Sequence, residues 1–427
     1  MTRYPLRQMT TALLFVLGAV TLAIWLTQAL RFVDLIVNRG LPIETFLHLA
    51  VLLLPQDLLV EPAANIGSAT RSANLGTYPL DRTLADPDKI AQAALLLATA
   101  KNPLIVAGGG VHISGAQAEL AQLQEAAGIP VATTVMGKGA VDERHPLSMG
   151  VIGYFMGKGS RTQHLRALID GADVVLFVGD RTNQNGTDSW TLFPKTARYI
   201  HIDVDSQEIG RNYEALRLNG DAKLTLAKLA RAFAGIDPAT GRSARSGVEQ
   251  IIGVAHQRAA AEALPRLNSE AVPIRPERLM RELDAVLDEN AIVVSDASYA
   301  PIWCANYLQA RRAGQRFLAG RGLAGLGWGL PAALGAKLAA PSQNVFCVTG
   351  DGGFAHVWAE LESAKRLGIA VTVIVLNNQI LGYQQHAEDV QYGAHTDACA
   401  LSPVDHAAIA RACGCNGEDR KSTRLNS

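Results

Sequence analysis

The feature that most constrains this chain is a Gly-Asp-Gly-Gly turn that stands between two hydrophobic strands. The first strand, Val345–Val348, enters the turn, and the second, Val371–Leu376, ends on a pair of asparagines. The residues between them, Ala355–Leu367, are predicted to form a helix. Two strands joined by a helix form a βαβ unit, whose strands run parallel in one sheet. Because parallel strands end at the same edge, the pattern predicts that Asp351 and Asn378 lie together where open α/β sheets bind ligands.

The residue types at this edge suit a divalent cation that carries a diphosphate. Mg²⁺ takes a few protein oxygens and completes its octahedron with phosphate oxygens and water. Glycine lets the backbone approach a ligand closely, and the start of the following helix favours an anion. From the residues alone, the alternative is an ordinary βαβ unit with a glycine turn and a capping asparagine. The matched placement of both polar groups at strand ends favours the metal–diphosphate site.

This pattern resembles the signature of thiamine-diphosphate enzymes, in which Gly-Asp-Gly and Asn-Asn stand about two dozen residues apart. The resemblance implies that Asp351 and the Asn378 side chain bind Mg²⁺ together with the backbone carbonyl of Ile380. It assigns a further set of residues to the thiamine diphosphate: Asp296, Ser298, Leu326, Gly352, Gly353, Gly382 and Tyr383.

The resemblance also gives roles within that set. Gly352 and Gly353 would donate N–H groups to the diphosphate, and Gly382 and Tyr383 would close its other side. The stretch RGLAGLGWG resembles the family's aminopyrimidine pocket, where Leu326 would wedge between the two rings of the cofactor. Without the flanking glycines, Leu326 would be predicted simply to pack in the hydrophobic core.

Asp296 and Ser298 end the predicted strand AIVVSDAS, which follows a predicted helix over Pro276–Leu287. In the family, this strand end makes backbone contacts to the diphosphate. Both residues therefore count as candidate cofactor contacts.

The segment Asp86–Gly235 is read as alternating strands and helices, with a predicted helix at Gly115–Ala127. It resembles the central domain of the acetolactate synthase-like family through TTVMGKGAVDERHPLSMGVIG and VLFVGDRTNQNG. In that family this domain holds FAD, another nucleotide, or nothing. A full GxGxxG motif is missing, so the three options stay open, with Arg181 and Asn183 as candidate ligands.

The N-terminal segment differs from the rest of the chain. No charged residue occurs from Gln8 to Leu30, which is long enough to span a bilayer. RYPLRQ, IWLTQALRFVDLIVNRGL and FLHLAVLLLP resemble the start of the lipopolysaccharide-export permeases. The following LLLPQDLL resembles the end of the first domain of a thiamine-diphosphate enzyme. We therefore expect a chimera that joins near Leu52–Pro55.

The expected fold class is α/β, with two doubly wound parallel-sheet domains behind a hydrophobic transmembrane-like helical segment. The last residues, GEDRKSTRLNS, look like translated adapter sequence. The predicted organisation runs in six parts: a membrane-like segment 1–55, a linker 56–87, a central domain 88–235, a linker helix 236–270, a thiamine-diphosphate domain 271–417 and a non-native tail 418–427.

The resemblance implies an enzyme that decarboxylates pyruvate or a related 2-keto acid and ligates the product to an acceptor, as acetolactate synthases do in branched-chain amino acid biosynthesis. Thiamine diphosphate and Mg²⁺ are the implied cofactors, with FAD left open. The family's activating glutamate belongs to a pyrimidine domain, usually of a partner subunit, which implies a homo-oligomer. Glu61 lies in no matching motif. No catalytic acid or base is assigned, and the chain is expected to be truncated and inactive alone.

Charge and cysteines narrow the remaining options. The 39 basic and 39 acidic side chains balance, which gives no electrostatic case for nucleic acid. The five cysteines show neither disulfide nor zinc spacing and are expected to be reduced thiols of a cytoplasmic enzyme. A membrane contact is expected only through residues 1–55, at the inner membrane if that segment is genuine. The alternatives are another thiamine-diphosphate decarboxylase or carboligase, a split enzyme, and a fragment of a lipopolysaccharide-export protein.

Overall fold

The structure, a computed structural model, describes residues 81–236 and 247–421, all of which fall in one compact unit. The predicted membrane segment and the junction at Leu52–Pro55 lie outside the described residues, as do most of the linker 56–87 and the end of the tail. Within the described ranges, no helix is both long and apolar enough to cross a membrane.

The first domain contains a sheet of six parallel strands in the order β3-β2-β1-β4-β5-β6. The strands are β1 Pro103–Ala107, β2 Val131–Thr133, β3 Ser148–Val151, β4 Val174–Val178, β5 Arg198–Asp203 and β6 Ala215–Asn219. The central pair, β1 and β4, is buried at every position, as expected for parallel strands covered on both faces. The order reverses between these two strands, so their carboxyl ends flank the topological switch point.

Helices cover both faces of this sheet, which confirms a doubly wound domain. They are α1 Pro87–Thr99, α2 Gly110–Ser114, α3 Gln117–Ala127, α4 Arg166–Asp170, α5 Ala222–Ala234 and α6 Val248–Leu267. One hydrophobic cluster packs α1, α3 and α5 against one face, and a second cluster fills the other, where Ile252 and Ala255 of α6 contribute. The α1 helix begins where the Asp86 carboxylate accepts the Asp88 N–H, with Pro87 in the first turn.

The second domain contains four parallel strands in the order β10-β9-β7-β8. They are β7 Ile292–Ser295, β8 Phe317–Ala319, β9 Val345–Gly350 and β10 Thr372–Leu376. Its helices are α7 Pro276–Val286, α8 Ala300–Tyr307, α9 Gly329–Ala339, α10 Asp351–Ala355, α11 Glu360–Arg366, α12 Gly382–Tyr392 and α13 His406–Ala412. The predicted adjacency of the two strands that bear the Gly-Asp-Gly and Asn-Asn motifs is confirmed, because β9 pairs with β10 in parallel.

Two predicted helices differ from the structure. The helix expected over Ala355–Leu367 is shorter, because α10 ends at Ala355 and α11 begins only at Glu360; the residues between them include Val357 and Trp358, which pack against a hydrophobic cluster. The helix expected over Gly115–Ala127 starts at Gln117 instead. Gly115 ends α2 with a φ of 64°, a left-handed conformation that stops a helix.

A buried ion pair joins the two domains. The Lys138 ammonium lies 2.8 and 2.9 Å from the carboxylate oxygens of Glu143, and each side chain is only 2% exposed. Lys138 also donates to the Ala305 carbonyl of α8 at 3.4 Å, and Glu143 accepts the Ala310 N–H at 3.0 Å. This ion pair of the first domain thus provides hydrogen-bond partners for the Ala305 carbonyl and the Ala310 N–H of the second domain.

Candidate active site

The carboxyl ends of β9 and β10 bring the predicted metal ligands to one turn. Gly350 and Leu376 are paired across the two strands, so Asp351 and Asn378 follow them at the same edge of the sheet. The Asp351 carboxylate accepts the Gln379 N–H at 2.6 Å, and the Asn378 side-chain oxygen accepts a backbone N–H at 3.4 Å. Both oxygens therefore contact the backbone of one short turn.

That turn has a strained backbone. Gln379 has a φ of 61°, a left-handed conformation that is uncommon for a non-glycine residue and concentrates at functional sites. The next residue, Ile380, forms an isolated antiparallel bridge with Ala400. The hydrogen bonds that flank this bridge use Gln379 and Leu381, so the Ile380 carbonyl is not needed for it. This oxygen can therefore serve as the third protein ligand that the family resemblance implies.

The glycines after Asp351 leave no room for side chains. A Cβ on Gly353 would lie 2.7 Å from an Asp296 carboxylate oxygen and 2.9 Å from the Thr349 hydroxyl. A Cβ on Gly352 would lie 2.5 Å from the Leu381 side chain. The Gly352 N–H, which the resemblance assigns to the diphosphate, donates to the Asp351 carboxylate at 2.9 Å in this structure.

Asp296 is fully buried and ties three loops together. Its carboxylate accepts the Gly327 N–H at 3.1 Å and the Thr349 hydroxyl at 3.0 Å, as well as the N–H of Ala297. The backbone N–H of Asp296 donates to the Val348 carbonyl of the neighbouring strand β9. The side chain thus holds the ends of β7 and β9 against the loop before α9, rather than facing a ligand.

The remaining predicted residues surround the opening of this site. Ser298 has a φ of 71°, and the hydroxyl of the next residue, Tyr299, is hydrogen-bonded to His386 Nδ1 on α12. The Tyr299 ring also packs edge-on against Tyr383, with the ring centres 5.6 Å apart. Gly382, at the start of α12, is buried against Asn378 and Tyr299.

Leu326 lies in the loop before α9 and is 38% exposed. It is therefore not packed in a core, which was the plain alternative for an apolar residue at this position. Gly327 behind it has a φ of 87° and donates its N–H to Asp296. Its exposure leaves Leu326 free to contact a ligand at the mouth of the site.

The candidate nucleotide site of the first domain lies at its switch point. Gly108 and Gly110, after β1, touch the backbone of Gly179, after β4, and the Gly110 N–H donates to the Gly179 carbonyl at 2.9 Å. Arg181 is exposed, while the Asn183 oxygen accepts the Gly186 N–H at 3.0 Å. Nearby, burial raises the pKa of Asp180 to about 7, and one of its carboxylate oxygens has no hydrogen-bond partner among the described residues.

Several residues of the site were not predicted from the sequence, although some of them carried a signal. Thr349 precedes the glycine turn, Tyr299 follows a candidate contact, and Gln379 separates the predicted ligands, so position alone would have pointed to them. Arg321 could not be identified from its position in the sequence, because residues that surround it belong to the other domain. A lone arginine in a glycine-rich loop has no pattern that predicts burial.

The residues present fit a diphosphate and a hard cation. Gly352 and Gly353 carry no side chain that could obstruct a diphosphate, and the Asp351 carboxylate and the Asn378 amide oxygen both contact the turn that contains Ile380, so the ligand types that Mg²⁺ prefers are present. Within the described ranges, no group of three or more His, Cys, Asp or Glu side chains could hold a metal. With three protein oxygens, Mg²⁺ would take phosphate oxygens and water to complete its octahedron.

Comparison with known proteins defines the class. Residues 90–229 match the model of the thiamine pyrophosphate enzyme central domain, and residues 296–426 match that of the C-terminal TPP binding domain. These two segments therefore belong to the thiamine pyrophosphate enzyme family.

Within this family the chain is similar to acetolactate synthases. It is 34% identical over 319 residues to a probable acetolactate synthase large subunit of Methanococcus aeolicus, covering 73% of this chain and 52% of the relative. It is 31% identical over 378 residues to an acetolactate synthase of Arthrospira platensis, covering 84% and 62%. A sulfoacetaldehyde acetyltransferase of Alcaligenes xylosoxydans is 30% identical over 364 residues, covering 79% and 59%. The chain thus spans about half the length of the first of these relatives.

The N-terminus matches a different family. Residues 3–61 match the model of the lipopolysaccharide export system permease LptF/LptG. This match supports the expected chimera, since the two kinds of similarity occupy separate parts of the chain.

Proposed function

We propose that this chain binds thiamine diphosphate and Mg²⁺ at the carboxyl edge of the second sheet, for decarboxylation of a 2-keto acid and its ligation to an acceptor. The observation that carries the proposal is the turn at residues 378–380. There the Asp351 carboxylate and the Asn378 amide oxygen accept neighbouring backbone N–H groups, beside a carbonyl that the adjacent bridge does not use.

The protein's part in this chemistry is to bind and orient. Asp351, Asn378 and the Ile380 carbonyl would hold Mg²⁺, which neutralises a diphosphate lying against Gly352 and Gly353. When bound, thiamine diphosphate supplies the electron sink for decarboxylation. The buried Asp296 keeps the three surrounding loops in place, because its carboxylate contacts all of them.

The edge of the site would be shaped by Leu326 and by the aromatic group next to it. Leu326 would contact the rings of the cofactor and hold them apart. Tyr383 and Tyr299 pack together beside Gly382, and would restrict water on the diphosphate side.

The proposal leaves three options for a ligand of the first domain. FAD, another nucleotide and no ligand are three options that the family allows, and Arg181 and Asn183 are the candidate ligands. The backbone contact between Gly110 and Gly179 brings the two switch-point loops together, so a nucleotide would have to lie beyond them.

Several expectations stay predictions. They are the homo-oligomer, the 2-keto acid as substrate, the cytoplasmic location of the enzyme part, the membrane contact through residues 1–55 and the lack of turnover by the isolated chain. No catalytic acid or base is assigned to any of the described residues.

A calorimetric titration tests the proposal. Thiamine diphosphate is titrated into the purified chain with Mg²⁺ and again with EDTA, and we expect binding only with Mg²⁺. Asp351→Asn should weaken binding by at least about tenfold, since it removes the one charged ligand of the cation. Asp170→Asn, an exposed change on α4, is the matched control and should bind as the parent does. Thiamine diphosphate binding that depends on neither Mg²⁺ nor the Asp351 carboxylate would refute the proposal.

A second candidate function is a part in lipopolysaccharide export, which the match over residues 3–61 favours. Long-read sequencing across the codons for Leu52–Pro55 tests it together with the chimera. One uninterrupted gene in independent reads would favour a natural fusion, and reads that separate the two parts would confirm the chimera.

A further inference from the structure

Two cysteines flank a single glycine at the end of helix α13. Cys413 is the first residue after the helix, Gly414 follows with a φ of 75°, and Cys415 comes next. The Gly414 N–H donates to the Arg411 carbonyl at 2.9 Å, and the next N–H, that of Cys415, donates to Ala410 at the same distance. These two hydrogen bonds close a Schellman turn, in which a left-handed glycine ends the helix. The fold therefore holds both thiols in one tight turn.

The turn brings the Cα atoms of the two cysteines within disulfide range. The distance between alternate Cα atoms depends on the residue between them, and a left-handed residue mirrors the curvature of an α-helix. Helix geometry gives about 5.4 Å for that distance. In disulfides the Cα atoms lie about 4.4–6.8 Å apart. Both cysteine side chains also pack against the same hydrophobic cluster, which places them on one side of the turn.

Exposure separates these two thiols from the other cysteines of the chain. Cys304, Cys347 and Cys399 are buried, with no more than 4% of their surface exposed. Burial raises the pKa of Cys304 to about 12 and also raises that of Cys347, so these thiols rarely form the thiolate that attacks a disulfide. Cys413 and Cys415 are free thiols and partly exposed. A dissolved oxidant can therefore reach this pair first.

Helix α11 borders the turn and adds a positive charge beside it. The Cys415 Sγ donates to the Leu361 carbonyl of α11 at 3.7 Å. The Lys365 side chain crosses Gly414, since a Cβ placed on this glycine would lie 3.3 Å from the Lys365 Cε. The ammonium is bonded to that carbon, so it stands close to the turn. Such a charge attracts an anionic oxidant, and oxidised glutathione carries carboxylates.

We propose that Cys413 and Cys415 are a reversible thiol–disulfide pair, which a small disulfide such as oxidised glutathione oxidises. One cysteine thiolate attacks a sulfur of the small disulfide, forms a mixed disulfide and releases one glutathione thiolate. The other cysteine thiolate then attacks the protein sulfur of that mixed disulfide, closes the Cys413–Cys415 bond and releases the second glutathione. The protein loses two electrons and two protons, which leave with the two glutathione thiols.

This bond is suited to a switch and not to a structural cross-link. A disulfide stabilises a fold mainly by closing a long loop, and here the loop encloses only Gly414. Exposed or strained disulfides have higher reduction potentials than structural ones, so small thiols reduce them readily. The pair is therefore reduced in a reducing cytoplasm, as the sequence leads us to expect, and closes when the surroundings become oxidising. The inference does not depend on the proposed cofactor site.

The test is a redox titration of the full purified chain in mixtures of reduced and oxidised glutathione. After acid quenching, free thiols are alkylated under denaturing conditions and the digested chain is analysed by mass spectrometry. As the mixture becomes more oxidising, the peptide with Cys413 and Cys415 should lose two hydrogen atoms and take no alkyl group. Dithiothreitol should restore both thiols. The buried cysteines should be alkylated fully in the same samples.

Single variants provide the controls. In Cys413→Ser and Cys415→Ser no ring can close, so the remaining thiol should keep glutathione as a mixed disulfide. Cys399→Ser removes a buried cysteine outside the pair, and it should oxidise at the same glutathione ratio as the parent. The melting temperatures of the reduced variants show whether each is folded, and the parent chain tests the inference without any substitution.

Three results would overturn the inference. Glutathione on both cysteines of the parent without a ring would show that the two sulfurs do not meet in the folded chain. A disulfide between two chains on a non-reducing gel would show that the pair reacts between molecules. Oxidation of the pair only in mixtures that also oxidise the buried cysteines would show that it requires unfolding.

Discussion

Replacing Glu143 by glutamine should destabilise the contact between the two domains. The change is nearly isosteric, so the effect comes from charge. Lys138 would lose the one carboxylate that pairs with it among the described residues, while staying buried beside the Phe317 ring, whose centre is 4.9 Å away, and the Ala305 carbonyl. The glutamine oxygen can still accept the Ala310 N–H, so that hydrogen bond is not part of the loss.

The size of the expected loss in unfolding free energy follows from the burial of the Lys138–Glu143 pair. Removing one partner of a fully buried ion pair costs about 3–5 kcal/mol, because the other charge is left uncompensated. Burial lowers the pKa of Lys138, and Glu143 is the main influence that holds it up. In Glu143→Gln the folded-state pKa therefore falls further below that of the unfolded chain. The unfolded state then binds more protons, so the variant regains stability as the pH rises towards the unfolded-state pKa of lysine.

The assay is urea unfolding followed by tryptophan fluorescence, at pH 7 and at pH 9. The double variant Lys138→Met/Glu143→Gln removes both charges and retains the acceptor for Ala310, and it should lie within about 1–2 kcal/mol of the parent. The reasoning would be refuted if the single variant cost less than about 1 kcal/mol, or if the double variant cost as much as the single one.

Two further predictions concern the sites themselves. Burial raises the pKa of Asp180 to about 7, so the folded state holds this proton longer than the unfolded state, and its contribution to stability is lost as the pH rises from about 4 to above 7. The unfolding free energy of Asp180→Asn should therefore change less with pH over that window than that of the parent. Equal pH dependences for parent and variant would contradict the raised pKa of Asp180. Gly353→Ala places a Cβ 2.7 Å from the Asp296 carboxylate, so we expect a lower melting temperature and weaker cofactor binding in calorimetry. Gly157→Ala, where a Cβ meets nothing within 4 Å, is its control and should change neither.

The parts of the fold that sequence could predict are those with long apolar runs. β4 and β9 are continuous hydrophobic segments that end on marked turns, so both their type and their place were predictable. Three other strands have no long apolar run: β3 and β8 contain only 4 and 3 residues, and β6 includes the polar Arg217. They are strands because neighbouring strands pair with them, which a local pattern does not show.

The site shows the same limit. The neighbouring placement of Asp351 and Asn378 followed from the rule that parallel strands end at one edge. Asp296 also lies at the end of a parallel strand, but its buried carboxylate accepts hydrogen bonds from Gly327 and Thr349. An acidic residue at a strand end can bind either a ligand or nearby protein groups, and the sequence does not distinguish the two. Lys138 and Arg321 were beyond prediction, since their burial is created by contacts between domains.

The central claim is tested most directly by locating the metal. Crystals of the chain grown with thiamine diphosphate and Mn²⁺ in place of Mg²⁺ would give an anomalous peak at the manganese edge. We predict one peak about 2.1 Å from oxygens of Asp351 and Asn378 and from the Ile380 carbonyl, with phosphate oxygens completing the site. Bound thiamine diphosphate with the peak elsewhere, or with these oxygens pointing away from it, would contradict the account.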